Sequence, residues 1–468
     1  MRCAPIPAAT RTATRRVLLA LLVGCGATEP PALPAASPGD ARPPASDAAR
    51  TPLPLDLAHT DVIQLTVCTL RKDRMTLYGG PRTTTPKLQS WADQAVVFDQ
   101  HFAQAPWTKP SMGSLYTGRW PRELRLDNPT YRDRYLEVLD PEHVTLAEHL
   151  QAQGYATIGA VANPNLHARF GYSQGFDAYT QPDGTYEEKP RIPGHADINA
   201  AILRDLDAVP ADQRVYVRAV YIDVHVPVRF APLDLVATTG GPERVTRYDA
   251  ALRGLDRALM ELITEIRARR PNALVLLTAD HGEGLKLPAH HGSGHGYHLY
   301  RTVTEVPWLL QHPALPGRRV DTLSQNIDVV PTVLDLLGAP LPDGLDGRSQ
   351  ADAARGDADA PVWPMVFTES FFRRSHSSAV FDGDWHLIRT YAKEGLGGRH
   401  TDALFAASDR WAEQDQAQAQ AAVAARLGGL LDAWEADQAD QARQAAPAAE
   451  AAADPVHTAA LQELGYLE

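Results

Sequence analysis

The stretch "NALVLLTADHG", residues 272–282, indicates the fold class. Its residues 273–277 form an unbroken apolar run, as in a strand buried on both faces, and the segment ends at the polar pair Asp280 and His281. The residues just before it, 245–270, carry apolar side chains at helical spacing. A long helix that leads directly into a buried strand predicts a sheet covered by helices.

Three other segments have the same character, because each is an apolar run that ends at a polar or reactive residue. They are "DVIQLTVC" at 61–68, "YATIGAVA" at 155–162 and "RVYVRAVYID" at 214–223. A further helix is predicted for "TLAEHLQAQG" at 145–154. The alternation of strands and helices predicts a mostly parallel sheet sandwiched by helices, with a site at the carboxyl ends of its strands.

Composition places the chain among globular proteins and argues against nucleic acid as a partner. The 468 residues are 44% apolar and 22% charged, which is enough to bury a large core. The formal net charge is −12, whereas general nucleic-acid binding rests on a basic surface. Composition leaves the oligomeric state open.

The N-terminus predicts export and attachment to a membrane. Four arginines precede a short apolar run at 17–23, which has the form of a secretory signal. The run ends in "LVGC", similar to the lipobox of bacterial lipoproteins, so residues 1–24 are predicted as a signal peptide and Cys25 as the lipidated residue. Residues 25–56 are rich in Pro and Ala and predict a tether. The expected location is the periplasmic or cell-surface face of a bacterial membrane. An ordinary signal peptide with an incidental cysteine remains the alternative.

Two folded parts are expected after the tether. Residues 57–350 are predicted to form the α/β domain, and residues 361–468 a small C-terminal α+β subdomain with a helical tail. The polar segment 350–361 is interpreted as a linker. In the subdomain, "WPMVFTES" and "SSAVFDGDWHLIRT" predict strands, the second with an Asp-Gly turn, and the Ala- and Gln-rich segment 411–453 predicts a helix.

Five segments, in order along the chain, resemble the sulfatases of the alkaline phosphatase superfamily. These are residues 61–121, "YIDVHVPVRFAP" at 221–232, residues 278–310 around "TADHGEG", "NIDVVPTVLDLLGAP" with "DGLDGRS" at 326–349, and the closing "LQELGY". The resemblance implies the alkaline phosphatase and sulfatase fold. It also implies an ester hydrolase that acts on an anionic substrate.

The same resemblance implies one divalent metal, usually calcium, and places Asp280 and His281 among its ligands. A carboxylate and an imidazole side by side at a strand end suit a metal. Where the family has an Asp after the first strand, this chain has Cys68, and a thiol suits calcium poorly. Zinc or manganese is therefore kept open as the ion, with Cys68 as a third ligand. The alternative is that Cys68 is a buried, small apolar residue.

The segment "QAPWTKPSMGSLYTG" at 104–118 departs from the family motif at its reactive position. In the family a Cys or Ser, followed by x-Pro-Ser-Arg, is oxidised to formylglycine, whose hydrate attacks sulfate. Here Thr108 occupies that position and Met112 replaces the anion-binding Arg. No formylglycine is expected, because Thr cannot supply that aldehyde.

Thr108 is interpreted as a nucleophile for phosphoesters. Superfamily members that transfer phosphoryl groups use a metal-bound Thr, and a cation activates a hydroxyl for covalent catalysis. A phosphorylated Thr can be opened by water, whereas a sulfated Thr lacks the aldehyde exit of formylglycine. The alternative is that Thr108 only caps a helix that begins near Pro110.

The remaining candidates concern the substrate anion. His225 and His295 match family positions that contact the ester and protonate the leaving group, and Lys109 is expected to add positive charge beside Thr108. The sequence therefore predicts a membrane-anchored, metal-dependent ester hydrolase or phosphotransferase. The alternative is a sulfatase-like lipoprotein without catalysis that binds anionic glycans or phosphoesters.

Overall fold

The structure is a computed structural model, and it describes most of the chain after the predicted tether. The described residues are 59–126, 135–181, 192–239, 241–357, 360–372, 376–392, 399–445, 449–452 and 455–464. The predicted signal peptide, Cys25 and the tether lie outside the described residues.

Sixteen strands lie in the described part of the chain. They are β1 (Val62–Val67), β2 (Val96–Phe102), β3 (Tyr135–Val138), β4 (Ala156–Val161), β5 (Ala178–Thr180), β6 (Val215–Tyr221), β7 (Leu274–Thr278), β8 (Gly284–Leu285), β9 (Ser293–Gly294), β10 (Trp308–Gln311), β11 (Arg318–Gln325), β12 (Val366–Ser370), β13 (Ser377–Phe381), β14 (Trp385–Tyr391), β15 (His400–Ala406) and β16 (Ala449–Ala452).

Eleven α-helices accompany them in the same ranges. They are α1 (Pro86–Ala92), α2 (Thr108–Thr117), α3 (Leu146–Ala152), α4 (His195–Asp207), α5 (Leu233–Thr239), α6 (Glu243–Arg269), α7 (Arg301–Thr304), α8 (Val329–Leu336), α9 (Ala351–Arg355), α10 (Ala421–Gln444) and α11 (Pro455–Glu463). Within the described residues, no helix is long and apolar enough to cross a membrane.

The main sheet has eight strands in the order β11-β2-β10-β7-β1-β6-β4-β5. β1 lies near its centre and pairs in parallel with both β6 and β7. Only β10 runs antiparallel to its neighbours β2 and β7 within this sheet. The predicted fold class, a mostly parallel sheet flanked by helices with a smaller C-terminal part, is confirmed.

The four quoted strand segments become β1, β4, β6 and β7, and every residue in these strands is buried. Helices on both sides of the sheet exclude water from both faces, which explains why these strands show no alternation of apolar and polar residues. The long helix predicted over 245–270 is α6, whose buried side chains recur along one side. These strands run parallel, so their carboxyl ends meet at one edge.

The C-terminal part contains a four-stranded antiparallel sheet in the order β12-β13-β14-β15, with α10 packed against it. The quoted strand segments of this part become β12, β13 and β14. The predicted turn at Asp382 and Gly383 connects β13 to β14. The interpretation of 350–361 as a linker is wrong in its first half. Residues Ala351 and Ala354 are fully buried on the short helix α9, because small side chains allow it to pack closely against the core.

Candidate active site

The carboxyl ends of β1, β4, β6 and β7 bring together four chain segments that are far apart in sequence. Cys68 follows β1, Asn163 follows β4, His225 follows β6, and Asp280 with His281 follows β7. All are at least 98% buried. This is the edge at which the sequence predicted the site, and parallel topology explains the convergence.

Thr108 lies at the start of α2 and points into this edge. The helix begins at Thr108 itself, with Trp107 as the preceding extended residue, so Thr108 does not cap a helix that begins near Pro110. Its Oγ1 lies 3.4 Å from Nε2 of His281 and accepts a hydrogen bond of 3.4 Å from Nδ2 of Asn163. The hydroxyl is therefore held between an amide donor and an imidazole nitrogen.

The hydrogen bonds of His281 settle which ring nitrogen carries the proton. Nδ1 lies 2.8 Å from the carbonyl oxygen of Gly282, which only accepts, so Nδ1 is the N–H. Burial lowers the pKa of His281 to about 4, so the ring is neutral near pH 7. Nε2 thus presents a lone pair towards the hydroxyl of Thr108.

Asp280 has two differently placed oxygens. Oδ1 accepts hydrogen bonds from the backbone N–H groups of Thr69, at 3.0 Å, and His281, at 2.8 Å. Oδ2 is buried and meets no hydrogen-bond donor in the described part of the chain, and it lies 3.3 Å from Nε2 of His281. An unpartnered carboxylate oxygen that faces an imidazole lone pair favours a proton or a small cation between them.

Cys68 lies in the same pocket as a neutral thiol. Nδ2 of Asn163 lies 3.5 Å from its Sγ. Burial raises the pKa of the Cys68 thiol well above its usual value, and the charge of Asp280 raises it further. The thiol lies in the hydrophobic core cluster as well, as expected for the alternative interpretation of a buried, small apolar residue.

The donors do not fit the metal that the resemblance implied. Calcium takes six to eight oxygen ligands, and Asp280 supplies the one carboxylate among the strand-end residues described above. Among the described residues, no group of three or more His, Cys, Asp and Glu side chains is placed to hold a metal ion. Asp280 and His281 lie together as predicted, but Cys68 does not join them in a three-ligand group for zinc or manganese among the described residues.

His225 and His295 meet at the mouth of the pocket. Their rings are 4.9 Å apart, and the rings of His295 and His281 are 4.5 Å apart. Nδ1 of His225 donates to the carbonyl of Val226 at 2.7 Å, and burial lowers the pKa of His225 to about 3. Glu283, whose pKa burial raises, lies 3.5 Å from Nδ1 of His295. The predicted pair is thus assembled beside the carboxyl of Glu283.

Lys109 is placed away from the pocket that it was expected to charge. Its Nζ donates to the backbone carbonyl of Glu137 at 2.8 Å and lies 4.2 Å from the centre of the Phe170 ring. Its side chain leaves α2 on the side of β3 rather than beside Thr108. The structure does not bring Lys109 together with the histidines.

Met112 is fully buried one helical turn after Thr108 and contacts an arginine from the sheet. Nη2 of Arg218, on β6, lies 3.7 Å from Sδ of Met112. The Arg218 guanidinium also lies 3.7 Å from the centre of the Tyr116 ring and donates to Oε1 of Gln64 at 3.0 Å. A buried cation from the sheet therefore occupies the space beside residue 112.

The loop that carries His295 is held by the C-terminal part of the chain. Nε2 of His291 lies 2.8 Å from the carbonyl of Trp411, and Nε2 of His290 lies 3.0 Å from the same carbonyl. Nδ1 of His291 contacts the hydroxyl of Thr302 at 2.9 Å. These contacts fix the loop between β7 and α7 from outside the main sheet.

Comparison with known proteins is decisive at the level of the family. A model of the family described as Sulfatase matches residues 61–339, more than half of the chain. The chain belongs to the sulfatase family. This membership explains why the pocket lies at the carboxyl edge and why the segments resembling sulfatases occur in family order.

The curated relatives include an N-acetylgalactosamine-6-sulfatase from Canis lupus familiaris. It is 25% identical over 323 residues, which cover 58% of this chain and 62% of the relative. The chain thus matches less than two thirds of that relative's length. A 2,3-bisphosphoglycerate-independent phosphoglycerate mutase from Salinibacter ruber is 29% identical over 227 residues, covering 46% of this chain and 39% of the mutase.

Two solved structures show the same fold at low identity. A phosphonate monoester hydrolase from Silicibacter pomeroyi superposes with a TM-score of 0.63 at 18% identity, covering 82% of this chain and 96% of the hydrolase. A protein in complex with its substrate D-glucosamine-2-N,6-O-disulfate gives 0.69 at 15% identity, covering 82% and 98%.

Sequence reasoning missed three residues that shape the pocket. Asn163 lies two residues after the end of β4, and its place after a buried strand was the signal that could have found it. Glu283 stands within the quoted "DHGEG" segment. Arg218 is a charged residue inside the apolar run of β6, and a charge in a fully buried strand requires a specific environment.

Proposed function

We propose that this sulfatase-family protein is an ester hydrolase or phosphotransferase that uses Thr108 as its nucleophile and prefers phosphoesters to sulfate esters. The observation that carries the proposal is the 3.4 Å approach of Oγ1 of Thr108 to the unprotonated Nε2 of His281. A hydroxyl next to a fixed imidazole acceptor is the arrangement of a nucleophile and its general base.

The first step transfers a proton and a phosphoryl group. Thr108 gives its hydroxyl proton to Nε2 of His281 as Oγ1 bonds to phosphorus, and the bond from phosphorus to the leaving oxygen breaks. The new N–H then faces Oδ2 of Asp280, which stabilises the imidazolium by its charge. Neither part of this step requires an ion beyond the side chains named.

The leaving oxygen requires a proton, and His225 with His295 is placed to supply it. Burial lowers the pKa of His225, and a bound dianion favours the protonated forms of both rings because opposite charges attract. The amino end of α2 adds backbone N–H groups and a positive dipole end for the phosphoryl oxygens. Water then opens the phosphorylated Thr108 and regenerates the hydroxyl.

The comparisons support the class of substrate. The phosphoglycerate mutase and the phosphonate monoester hydrolase are named for phosphorus compounds. The substrate in the third protein's complex, a glucosamine disulfate, is a sulfated sugar. A phosphate ester on a sugar or similar alcohol combines both features. We therefore assign an anionic ester, borne on a glycan or small alcohol, as the substrate.

The test is a paired assay of aryl phosphate and aryl sulfate hydrolysis. Thr108→Ala should lower phosphate turnover at least about 100-fold, because covalent catalysis loses its nucleophile, whereas Thr108→Ser should retain it. Thr117→Ala is the matched control on α2, since in the described part of the chain its hydroxyl bonds within the helix, to the carbonyl of Gly113. Intact-mass analysis should find phosphate on residue 108. Unchanged turnover in Thr108→Ala would refute the nucleophile.

One observation favours the non-catalytic alternative. Met112 stands where the family has the arginine that binds the substrate anion, and Lys109 points towards Glu137. Neither residue therefore supplies positive charge to the substrate. This second function would be supported if the protein bound an anionic ester but hydrolysed neither the phosphate nor the sulfate ester.

We propose in addition that the protein is exported and anchored by a lipid on Cys25, which the sequence segment "LVGC" supports. Cys25→Ser should move the protein from the membrane fraction to the soluble fraction in its bacterial host. Cys68→Ser is the matched control and should stay at the membrane. Equal membrane retention of both variants would contradict the anchor.

A further inference from the structure

A second polar cavity, separate from the Thr108 pocket, lies between the main sheet and the C-terminal sheet. Its volume is about 470 Å³, and none of the pocket residues described above lines it. Its charged lining is Lys72, Asp99, Arg301, Glu305, Arg319 and Arg410. Four cationic side chains face two carboxylates, so the lining carries an excess of two positive charges.

Most of the positive side chains surround the carboxylate of Glu305. Its Oε1 lies 2.5 Å from Nζ of Lys72, and its Oε2 lies 2.9 Å from Nε of Arg301 and 3.5 Å from Nη2 of Arg410. Three cations thus share one buried carboxylate. The fourth cation, Arg319, is already paired with Asp99 through a hydrogen bond of 2.9 Å.

The titration of the buried members agrees with this surplus. Burial lowers the pKa of Lys72, and repulsion from Arg301 and Arg410 opposes the help that Glu305 gives. Burial acts to raise the pKa of Glu305, but the three cations hold it well below its usual range. An added anion would relieve this repulsion.

The cavity offers donors of suitable chemistry and access. Arg410 is about one third exposed and Arg301 is mostly buried, so one guanidinium can swing towards a ligand while the other stays fixed. Guanidinium groups match tetrahedral oxyanions with paired N–H donors. The ring of Tyr78, with Nζ of Lys72 4.8 Å from its centre, forms an aromatic wall.

We propose that this cavity is a second anion site, which binds a phosphate or sulfate group between Lys72, Arg301 and Arg410. The group is either a free ion or the end group of a larger ester. The site is independent of catalysis at Thr108, because binding there requires none of the pocket residues.

The first experiment measures binding by calorimetry, with chloride at equal ionic strength as the reference. Inorganic phosphate and sulfate should bind the wild-type protein, and Arg410→Gln should weaken binding about ten-fold or more, as expected for one charged hydrogen bond. Arg204→Gln is the matched control, because Arg204 is likewise an arginine paired with a carboxylate, that of Asp205, but lies on α4 at the other end of the sheet. Equal loss in both variants would overturn the proposal.

The second experiment locates the ion and separates the sources. Selenate should give an anomalous peak among the three cations in crystals of the wild type and of Thr108→Ala, and no peak there in Arg410→Gln. A sugar phosphate or sulfated monosaccharide that binds more than ten-fold tighter than the inorganic ion identifies an end group, whereas equal affinity identifies the free ion. A peak confined to the Thr108 pocket would overturn the proposal. Neither readout depends on turnover, so an inactive protein would leave it testable.

Discussion

Restoring the family's arginine at position 112 should destabilise the protein rather than repair its site. Met112 and Arg218 are both fully buried, and Nη2 of Arg218 lies 3.7 Å from Sδ of Met112. Met112→Arg would place a second guanidinium against the first. Two unit charges about 4 Å apart repel by about 4 kcal/mol at an effective dielectric constant of about 20, before the cost of burying the new charge.

Urea unfolding of three variants measures this effect. Met112→Arg should lose about 4 kcal/mol or more of the free energy of unfolding, a large share of the 5–15 kcal/mol typical of a domain. Met112→Leu, the matched apolar control, should lose less than about 1.5 kcal/mol. The exchange Met112→Arg with Arg218→Met should recover most of the loss, because a single buried cation remains. If Met112→Arg were as stable as Met112→Leu, the assigned contact between these side chains would be refuted.

Two other predictions concern the carboxylates of the fold. Cys68→Asp should set a second buried carboxylate beside Asp280, so its melting temperature should fall in EDTA and recover in millimolar calcium. The melting temperature of Cys68→Ser should respond little to calcium. An equal response of both variants would refute the proximity of residues 68 and 280. Burial raises the pKa of Asp328 to about 7, so between about pH 4 and 7 the folded state binds a proton that the unfolded state has lost. The free energy of unfolding should therefore fall as pH rises through that window, by up to about 4 kcal/mol. Asp328→Asn should remove this slope in urea titrations at pH 4.5, 6 and 7.5, and an unchanged slope would assign the dependence to other groups.

The sequence was sufficient for the central sheet and for most of the pocket, for a physical reason. Strands buried on both faces are continuous apolar runs, and in a parallel sheet their following residues must meet at one edge. Asp280, His281 and His225 were predicted on these grounds together with the family resemblance. Thr108 was predicted from its place in the motif.

The other features of the site depend on side-chain directions and packing contacts that the spacing of residues in the sequence does not encode. Lys109 adjoins Thr108 in the chain, yet consecutive residues on a helix point about 100° apart, and its ammonium lies against Glu137 and Phe170 instead. Arg218 lies beside Met112 only because β6 and α2 pack together, a contact between residues 106 positions apart. Glu305 and Arg410 are likewise joined only by the docking of the C-terminal sheet.

The contacts of His290 and His291 with the carbonyl of Trp411 have a consequence for the order in which the protein becomes competent. A chain is synthesised from its amino end, and helix α2 with Thr108 and strand β7, which His281 follows, are complete more than 100 residues before Trp411 emerges. Until then the loop with His295 is held by earlier parts of the chain, such as Arg71 at Leu287 and Ser370 at Gly296, and lacks the contacts with Trp411. The nascent protein is therefore expected to acquire its scaffold early and its finished pocket last, so that a chain truncated before Trp411 would be folded in its centre yet chemically silent.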